Sequence, residues 1–311
     1  MTDAAPATRA RKLEGVWCPL LTPLDDELRP DAERFVAHAR RVLDQGCHGI
    51  AIFGTTGEAT SFSVDERIAL LDAVLEAGLP VDRLMVGTGC CALSDTLALS
   101  AHATSRGVRN LLMLPPFYYK DNSDAGLFAS YDTVLERLGV PDLRLILYHF
   151  PKLSGVPITT GLIERLLAAH PATLAGVKDS SGDGQHTRQL IQKFPEIAVF
   201  PGTEVLLLDA LQIGGAGCIS ASANVNGPAI RAVYDAFQAG RPDAAALQES
   251  VTAVRQILQR RPMIPAMKAI LAEAHHDDAW RRVRPPLLTL PRDEGRALWA
   301  ELAAQDWRLA A

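Results

Sequence analysis

Lys178 closes the apolar run Thr173-Leu174-Ala175-Gly176-Val177 and opens directly into the turn Asp179-Ser180-Ser181-Gly182. An ammonium at the end of a buried strand is poorly solvated, which favours the uncharged amine, and an uncharged amine attacks a ketone to form a Schiff base. The chain has six lysines, and the other five, Lys12, Lys120, Lys152, Lys193 and Lys268, fall in segments that read as loop or helix surface. On this segment alone a competing reading stays open: a structural lysine that reaches solvent from its strand end.

Other residues could share that chemistry. Gly54-Thr55-Thr56-Gly57-Glu58 offers two hydroxyls and backbone N–H groups, Gly57 among them, in a glycine-flanked turn ahead of a helix, which suits a small carboxylate. An ordinary threonine-capped turn is the alternative. Tyr148 ends the apolar run 143–147 and could carry protons during imine formation, or sit as a core-edge tyrosine with a satisfied hydroxyl. Tyr118 and Tyr119, after the fourth run, read as loop packing or an interface pair. Glu204, Ser220, Ser222 and Asn224 stand at or just beyond the ends of the last two apolar runs, where Glu204 and Ser220 are candidate substrate contacts.

These residues share a context. From residue 15 to about 239, short apolar runs at 16–21, 49–53, 84–87, 110–114, 143–148, 174–178, 198–201 and 217–221 each precede a helix-like stretch. In 65–77, for example, Ile68, Leu71 and Leu75 recur at the helical period, and Gly78 and Pro80 end the segment. Strands that alternate with helices pair in parallel through right-handed crossovers. Eight units over ~220 residues predict an α/β fold, a closed (β/α)8 TIM barrel, whose usual size is about 250 residues. An open doubly wound sheet would carry a glycine-rich phosphate loop after its first strand, where this chain has Pro19-Leu20-Leu21-Thr22-Pro23. The expected organisation is a tail over 1–12, the barrel over 13–240, and a C-terminal helical extension over 241–311 packed on the barrel's outside. In such a barrel the residues at the C-terminal strand ends converge on one mouth, so a lysine, a tyrosine and an anion-holding turn meet there.

Composition narrows the function classes. The 311 residues are 48% hydrophobic and 22% charged, as in an ordinary globular enzyme, and the formal charge of −5 with no long basic run gives no general attraction to nucleic acid. No stretch has the length and apolarity of a membrane helix, and the first fifteen residues lack a signal-peptide core, so a cytoplasmic protein is expected. Cys18, Cys47, Cys90, Cys91 and Cys218 lack metal-ligand spacing and read as reduced packing residues.

With these motifs in place, the chain resembles the dihydrodipicolinate synthase and N-acetylneuraminate lyase family of class I aldolases. The resemblance runs from Leu13 to the C-terminal helices. It is carried by Gly54-Thr55-Thr56-Gly57-Glu58, Pro116-Phe117-Tyr118-Tyr119, Tyr148 with Pro151 three residues on, and Gly176-Val177-Lys178-Asp179 thirty residues after Tyr148. It implies that Lys178 forms a Schiff base with pyruvate or another 2-oxo acid and that Tyr148 carries protons. It also implies that Thr55 and Thr56 hold the carboxylate and relay protons, and that Tyr118 completes the relay from a neighbouring subunit. The expected enzyme is a Schiff-base lyase, an aldolase or dehydratase, acting on pyruvate or a 2-keto-3-deoxy sugar acid. It is expected to need no cofactor or metal and to form a homotetramer built as a dimer of dimers. The alternatives are a 4-hydroxy-tetrahydrodipicolinate synthase, an N-acetylneuraminate lyase, and a barrel that binds a 2-oxo acid without turning it over.

Departures from the family pattern bear on substrate. Leu153 stands where the synthases carry a carboxylate-binding arginine, Val64 and Arg67 where lysine-inhibited synthases have histidine, and His149 where asparagine follows the motif tyrosine. Lys120 and Lys152 suggest a second acidic group on the substrate. Glu204 matches an acid that contacts substrate hydroxyls in neuraminate lyases, and reads equally as a helix N-terminal acid.

Overall fold

The computed structural model describes residues 12–309, so almost all of the expected tail lies outside the described residues. Eight short strands alternate with helices. They are β1 (Gly15–Pro19), β2 (Gly49–Ile52), β3 (Leu84–Gly87), β4 (Asn110–Met113), β5 (Arg144–His149), β6 (Leu174–Asp179), β7 (Ala198–Pro201) and β8 (Gly217–Ile219). Neighbouring strands pair in parallel in the order β7-β6-β5-β4-β3-β2-β1-β8, and the N–H of Ala216, just before β8, bonds the Val199 carbonyl of β7 at 3.0 Å. That bond draws the two end strands together into the expected (β/α)8 barrel.

Side chains alternate between two faces, as the pleat requires. Trp17, Ala51, Met85, Leu112, Ile146, Phe200 and Ile219 fill the interior of the barrel. Val16, Cys18, Ile50, Val86, Leu145 and Val199 point outward into the layer of helices. The helices begin where local chemistry directs. Ser63 accepts from the Glu66 N–H while the Glu66 carboxylate accepts from the Ser63 N–H, a reciprocal cap for Val64–Glu76. Asp183 caps Gly184–Lys193 from one side only, its carboxylate accepting from the Gln185 and His186 N–H groups.

The strand limits differ from the sequence expectation most at β1 and β8, which end two residues earlier, at Pro19 and Ile219, and in the opposite sense at β5 and β6. There the pairing continues one residue further, to His149 and Asp179.

Three helices, Ala244–Leu258, Met263–His275 and Arg292–Ala303, form the extension. Leu258, Met267, Ile270, Leu298 and Leu302 make a second core that joins the barrel through Leu21 and Val225. The extension was expected on the barrel's outside; instead residues between Arg255 and Met267 also wall the mouth of the barrel. Lys268, expected on a helix surface, is fully buried. Among the cysteines, Cys18, Cys47 and Cys218 are buried free thiols, Cys90 is half-buried, and Cys91 is exposed rather than packed. No described helix is long and apolar enough to cross a membrane.

Candidate active site

The site follows from strand register. In β5 and β6, Leu145 pairs with Leu174 but Ile146 pairs with Gly176, so β6 carries one extra residue, and beyond that bulge Tyr148 lies directly beside Lys178. Paired residues of parallel strands project from the same face, and Tyr148 belongs to the barrel interior. Lys178 is 3% exposed, and its Nζ lies over the Tyr148 ring, 4.3 Å from the centroid. Above them opens a cavity of about 590 Å³, lined by Lys178, Tyr148, Thr55 and Thr56 among others.

The turn after β2 supplies the next contact. Thr55 Oγ1 stands 3.2 Å from the Tyr148 hydroxyl, so a proton can pass between the two hydroxyls. Phe53 and Glu58 hold left-handed backbone conformations (φ 59° and 56°) on either side of Gly54-Thr55-Thr56-Gly57. Side chains that must accept such a conformation are costly, and surrounding contacts have to enforce it. A Cβ on Gly57 would lie 2.9 Å from the Leu20 carbonyl oxygen, and the Gly57 carbonyl accepts from buried Thr22 at 2.9 Å. Below the turn, the Glu58 carboxylate is held by Lys268 Nζ and by the Arg284 N–H at 2.9 Å. Lys268 also donates to the Arg282 carbonyl at 2.7 Å. Burial holds the Lys268 ammonium below its ordinary range against the pull of Glu58.

Three sequence expectations are corrected here. Gly57 was expected to offer its N–H to a bound carboxylate, but that N–H bonds Gly54 O at 3.1 Å and the next one, on Glu58, bonds Thr55 O at 3.0 Å. The turn therefore meets the cavity through Thr55 and Thr56. Glu204 and Ser220 were expected to touch substrate, yet both are fully buried behind the cavity wall. The Glu204 carboxylate accepts from the hydroxyls of Ser220 and Ser222 and from Arg255 Nη1 at 3.1 Å. Lys120 is spent on the main-chain carbonyls of Phe117 and Ser154, the latter at 2.8 Å, whereas Lys152 does line the cavity.

Tyr118 is 74% exposed on the loop after β4, edge-on to the ring of Tyr119, and does not reach the cavity of its own chain. Arg255, which sequence reasoning missed, lines the cavity from the extension. Its position depends on the packing of Ala244–Leu258 against the barrel, for which the local sequence holds no signal.

No acid–histidine cluster is visible at the strand ends from sequence, but the structure brings polar atoms of His149, Asp179 and His186 within 4.8 Å of one another. The Nδ1 atoms of both histidines and the Asp179 carboxylate are engaged internally. His149 Nδ1 accepts from the Ile158 N–H at 3.0 Å, which leaves its proton on Nε2, and its ring stacks on His186 at 4.6 Å. Asp179 accepts from Thr187 Oγ1 at 2.6 Å, from His186 Nδ1 at 3.0 Å and from the Ser181 N–H at 3.0 Å. Burial pushes the Asp179 carboxyl upward, but these bonds hold it below the usual carboxylate range. His186, bonded to Asp179, is raised above its ordinary value, and burial lowers His149. The cluster fixes the backbone that follows Lys178.

A buried amine, a phenol on a hydroxyl relay and a cavity at the C-terminal mouth of a (β/α)8 barrel define the class of barrel lyases. A model of the dihydrodipicolinate synthetase family matches residues 12–305, and the chain belongs to that family. Among its relatives, an uncharacterised DapA-like lyase of Chloroflexus aurantiacus is 39% identical over 287 residues, covering 92% of this chain and 95% of that protein. A 4-hydroxy-tetrahydrodipicolinate synthase of Kineococcus radiotolerans is 33% identical over 305 residues, 97% of this chain and 96% of its own length. The crystal structure of dihydrodipicolinate synthase from Agrobacterium tumefaciens superposes with a TM-score of 0.85 at 32% identity, over 94% of this chain and 99% of that one.

Proposed function

We propose that the protein is a Schiff-base-forming lyase in which Lys178 condenses with pyruvate or with a 2-oxo acid that yields pyruvate. The observation that carries this is the placement of Lys178 Nζ over the Tyr148 ring while the Tyr148 hydroxyl meets Thr55 Oγ1 at 3.2 Å. In this mechanism the uncharged Nζ adds to the 2-oxo carbon, and water leaves with a proton supplied by the Tyr148 hydroxyl. The protonated imine withdraws electrons from the neighbouring carbon. In the cleavage direction the C3–C4 bond of a 4-hydroxy-2-oxo acid breaks, its electron pair forms the enamine, and the C4 hydroxyl proton passes to a base as the aldehyde departs. Protonation at C3 and hydrolysis by one water release pyruvate and the free amine. Condensation is the reverse, and loss of the C4 hydroxyl instead of C–C cleavage gives dehydration. Thr55 and Thr56 on the cavity wall are assigned to the substrate carboxylate and, with Tyr148, to proton transfer. No bound cofactor is needed, because the iminium is the electron sink.

A homotetramer in the cytoplasm belongs to the same proposal. The free thiols and the exposed Tyr118 and Tyr119 support it, with Tyr118 meeting a second copy. Synthase activity is the second candidate, favoured by the Kineococcus relative. Against it stands Leu153, in the place of the expected arginine.

Borohydride reduction in the presence of pyruvate tests the proposal. An irreversible adduct, located on Lys178 by peptide mass spectrometry, is expected. Binding of pyruvate without an adduct would instead support the non-catalytic barrel.

A further inference from the structure

The cavity is not uniform. Its inner end carries the hydroxyls of Thr55, Thr56 and Tyr148 beside Lys178, whereas its outer wall is built from Phe150, Leu153, Leu206, Met263, Ile264 and Leu287. Phe150 stacks on Tyr148 with ring centroids 5.8 Å apart, so the apolar wall begins next to the phenol. Phe150, Leu206, Met263, Ile264 and Leu287 are only half-buried, and Leu153 is 63% exposed, which leaves apolar area facing the cavity for a ligand to cover. A site that binds a polyhydroxylated chain needs convergent polar partners for each hydroxyl, because a buried hydroxyl without a partner is costly. The acids that could serve are engaged elsewhere. Glu204 is buried behind the wall with Ser220 and Ser222, and its carboxylate faces Arg255, whose charge it offsets. Asp179, the acid among the lining residues, is engaged with His186, Thr187 and Ser181. The remaining polar side chains are the half-buried Ser180 and Thr203, the latter accepting from the Val205 N–H, and Lys152, Gln256 and Gln259, which stand exposed at the rim.

We infer that the aldehyde half of the substrate, the part released from or added to the pyruvyl enamine, is apolar: an aromatic or branched alkyl aldehyde rather than a sugar. This deepens the Schiff-base proposal and rests on it. It departs from the sugar-acid substrate expected from sequence, because the acid that would read sugar hydroxyls has turned away from the cavity. The bond change is the one already described, joining C3 of the enamine to the aldehyde carbon with one proton taken up by the new alkoxide, and it needs no oxidant or reductant.

The test uses the full-length protein with saturating pyruvate and a panel of aldehydes: benzaldehyde and 3-methylbutanal against glyceraldehyde, erythrose and succinic semialdehyde. Aldol addition should show kcat/KM at least about tenfold higher for the apolar pair, the scale on which apolar pockets discriminate. Met263→Gln should lower that preference by about tenfold, and Leu153→Gln, at an exposed position where folding is not at issue, should lower it in the same direction. Equal rates across the panel, or a preference for the hydroxylated aldehydes, would overturn the inference. A preference for succinic semialdehyde would do the same and give the outer site to Lys152. Borohydride trapping of pyruvate on Lys178 is run in parallel: trapping without the apolar preference sinks only this inference, whereas no trapping sinks the Schiff-base proposal itself.

Discussion

Tyr148 and Lys178 are side by side across β5 and β6 because β6 has one residue more than β5 between Leu174 and Gly176. A one-residue slip would set Lys178 beside His149 and turn one of the two strands face for face. The bulge is thus what directs the amine and the phenol into the same barrel interior.

The chemical roles of the relay separate by magnitude. Tyr148→Phe removes the proton carrier and is expected to lower kcat by about 10²–10⁴, the usual contribution of a positioned acid–base group. Thr55→Val removes one hydrogen bond to that hydroxyl and should cost only about tenfold. Steady-state kinetics on the two variants check the order, and a larger effect from Thr55→Val would remove Tyr148 from its assigned place.

Glu58 and Lys268 tie the catalytic turn to the extension through a fully buried ion pair. Lys268→Met leaves a buried carboxylate without its cation and should destabilise the protein by about 3–5 kcal/mol. The double variant Glu58→Gln with Lys268→Met should recover part of that loss. Urea unfolding of wild type, both single variants and the double variant measures the coupling; additive losses would show that the pair is not a unit.

Glu204 separates structure from recognition. With its carboxylate shared among Ser220, Ser222 and Arg255, Glu204→Gln should lower stability by about 1–3 kcal/mol, the cost of buried polar groups losing their partners. KM for pyruvate should change little. A rise in KM at unchanged melting temperature would return Glu204 to the substrate.

His38 sets an acid limit on stability. Its Nε2 meets Asn224 Oδ1 at 2.8 Å and its Nδ1 meets the Arg41 guanidinium at 3.1 Å. Since Arg41 can only donate, the ring is neutral with its proton on Nε2. Complete burial, reinforced by Arg41, lowers the imidazole to about 3. The unfolded chain, titrating near 6.5, binds the proton first, so this contribution is intact above about pH 6.5 and is lost as pH falls toward 3. The expected slope is about 1.4 kcal/mol per pH unit in that window. His38→Gln should flatten the fall of unfolding free energy with acid, and an unchanged slope would assign it to other groups.

The alternation of apolar runs and helical stretches made the barrel legible, because a parallel strand buried on both faces is a continuous apolar run and each crossover helix keeps its own period. Lys178, Tyr148 and Thr55 were legible for a related reason. Each has a structural reading when taken singly, but a barrel brings strand ends to one mouth, so their convergence could be read from the order of the runs. What the sequence left open depends on contacts between residues far apart along the chain. Glu204 appears the same in sequence whether it faces the cavity or Arg255, fifty-one residues on. Lys268 reads as a surface residue until Glu58, 210 residues away, is brought against it. Likewise the apolar outer wall joins Phe150 and Leu153 of the barrel to Met263, Ile264 and Leu287 of the extension. Periodicity records which face of an element is buried; only the packing of whole elements decides what that face meets.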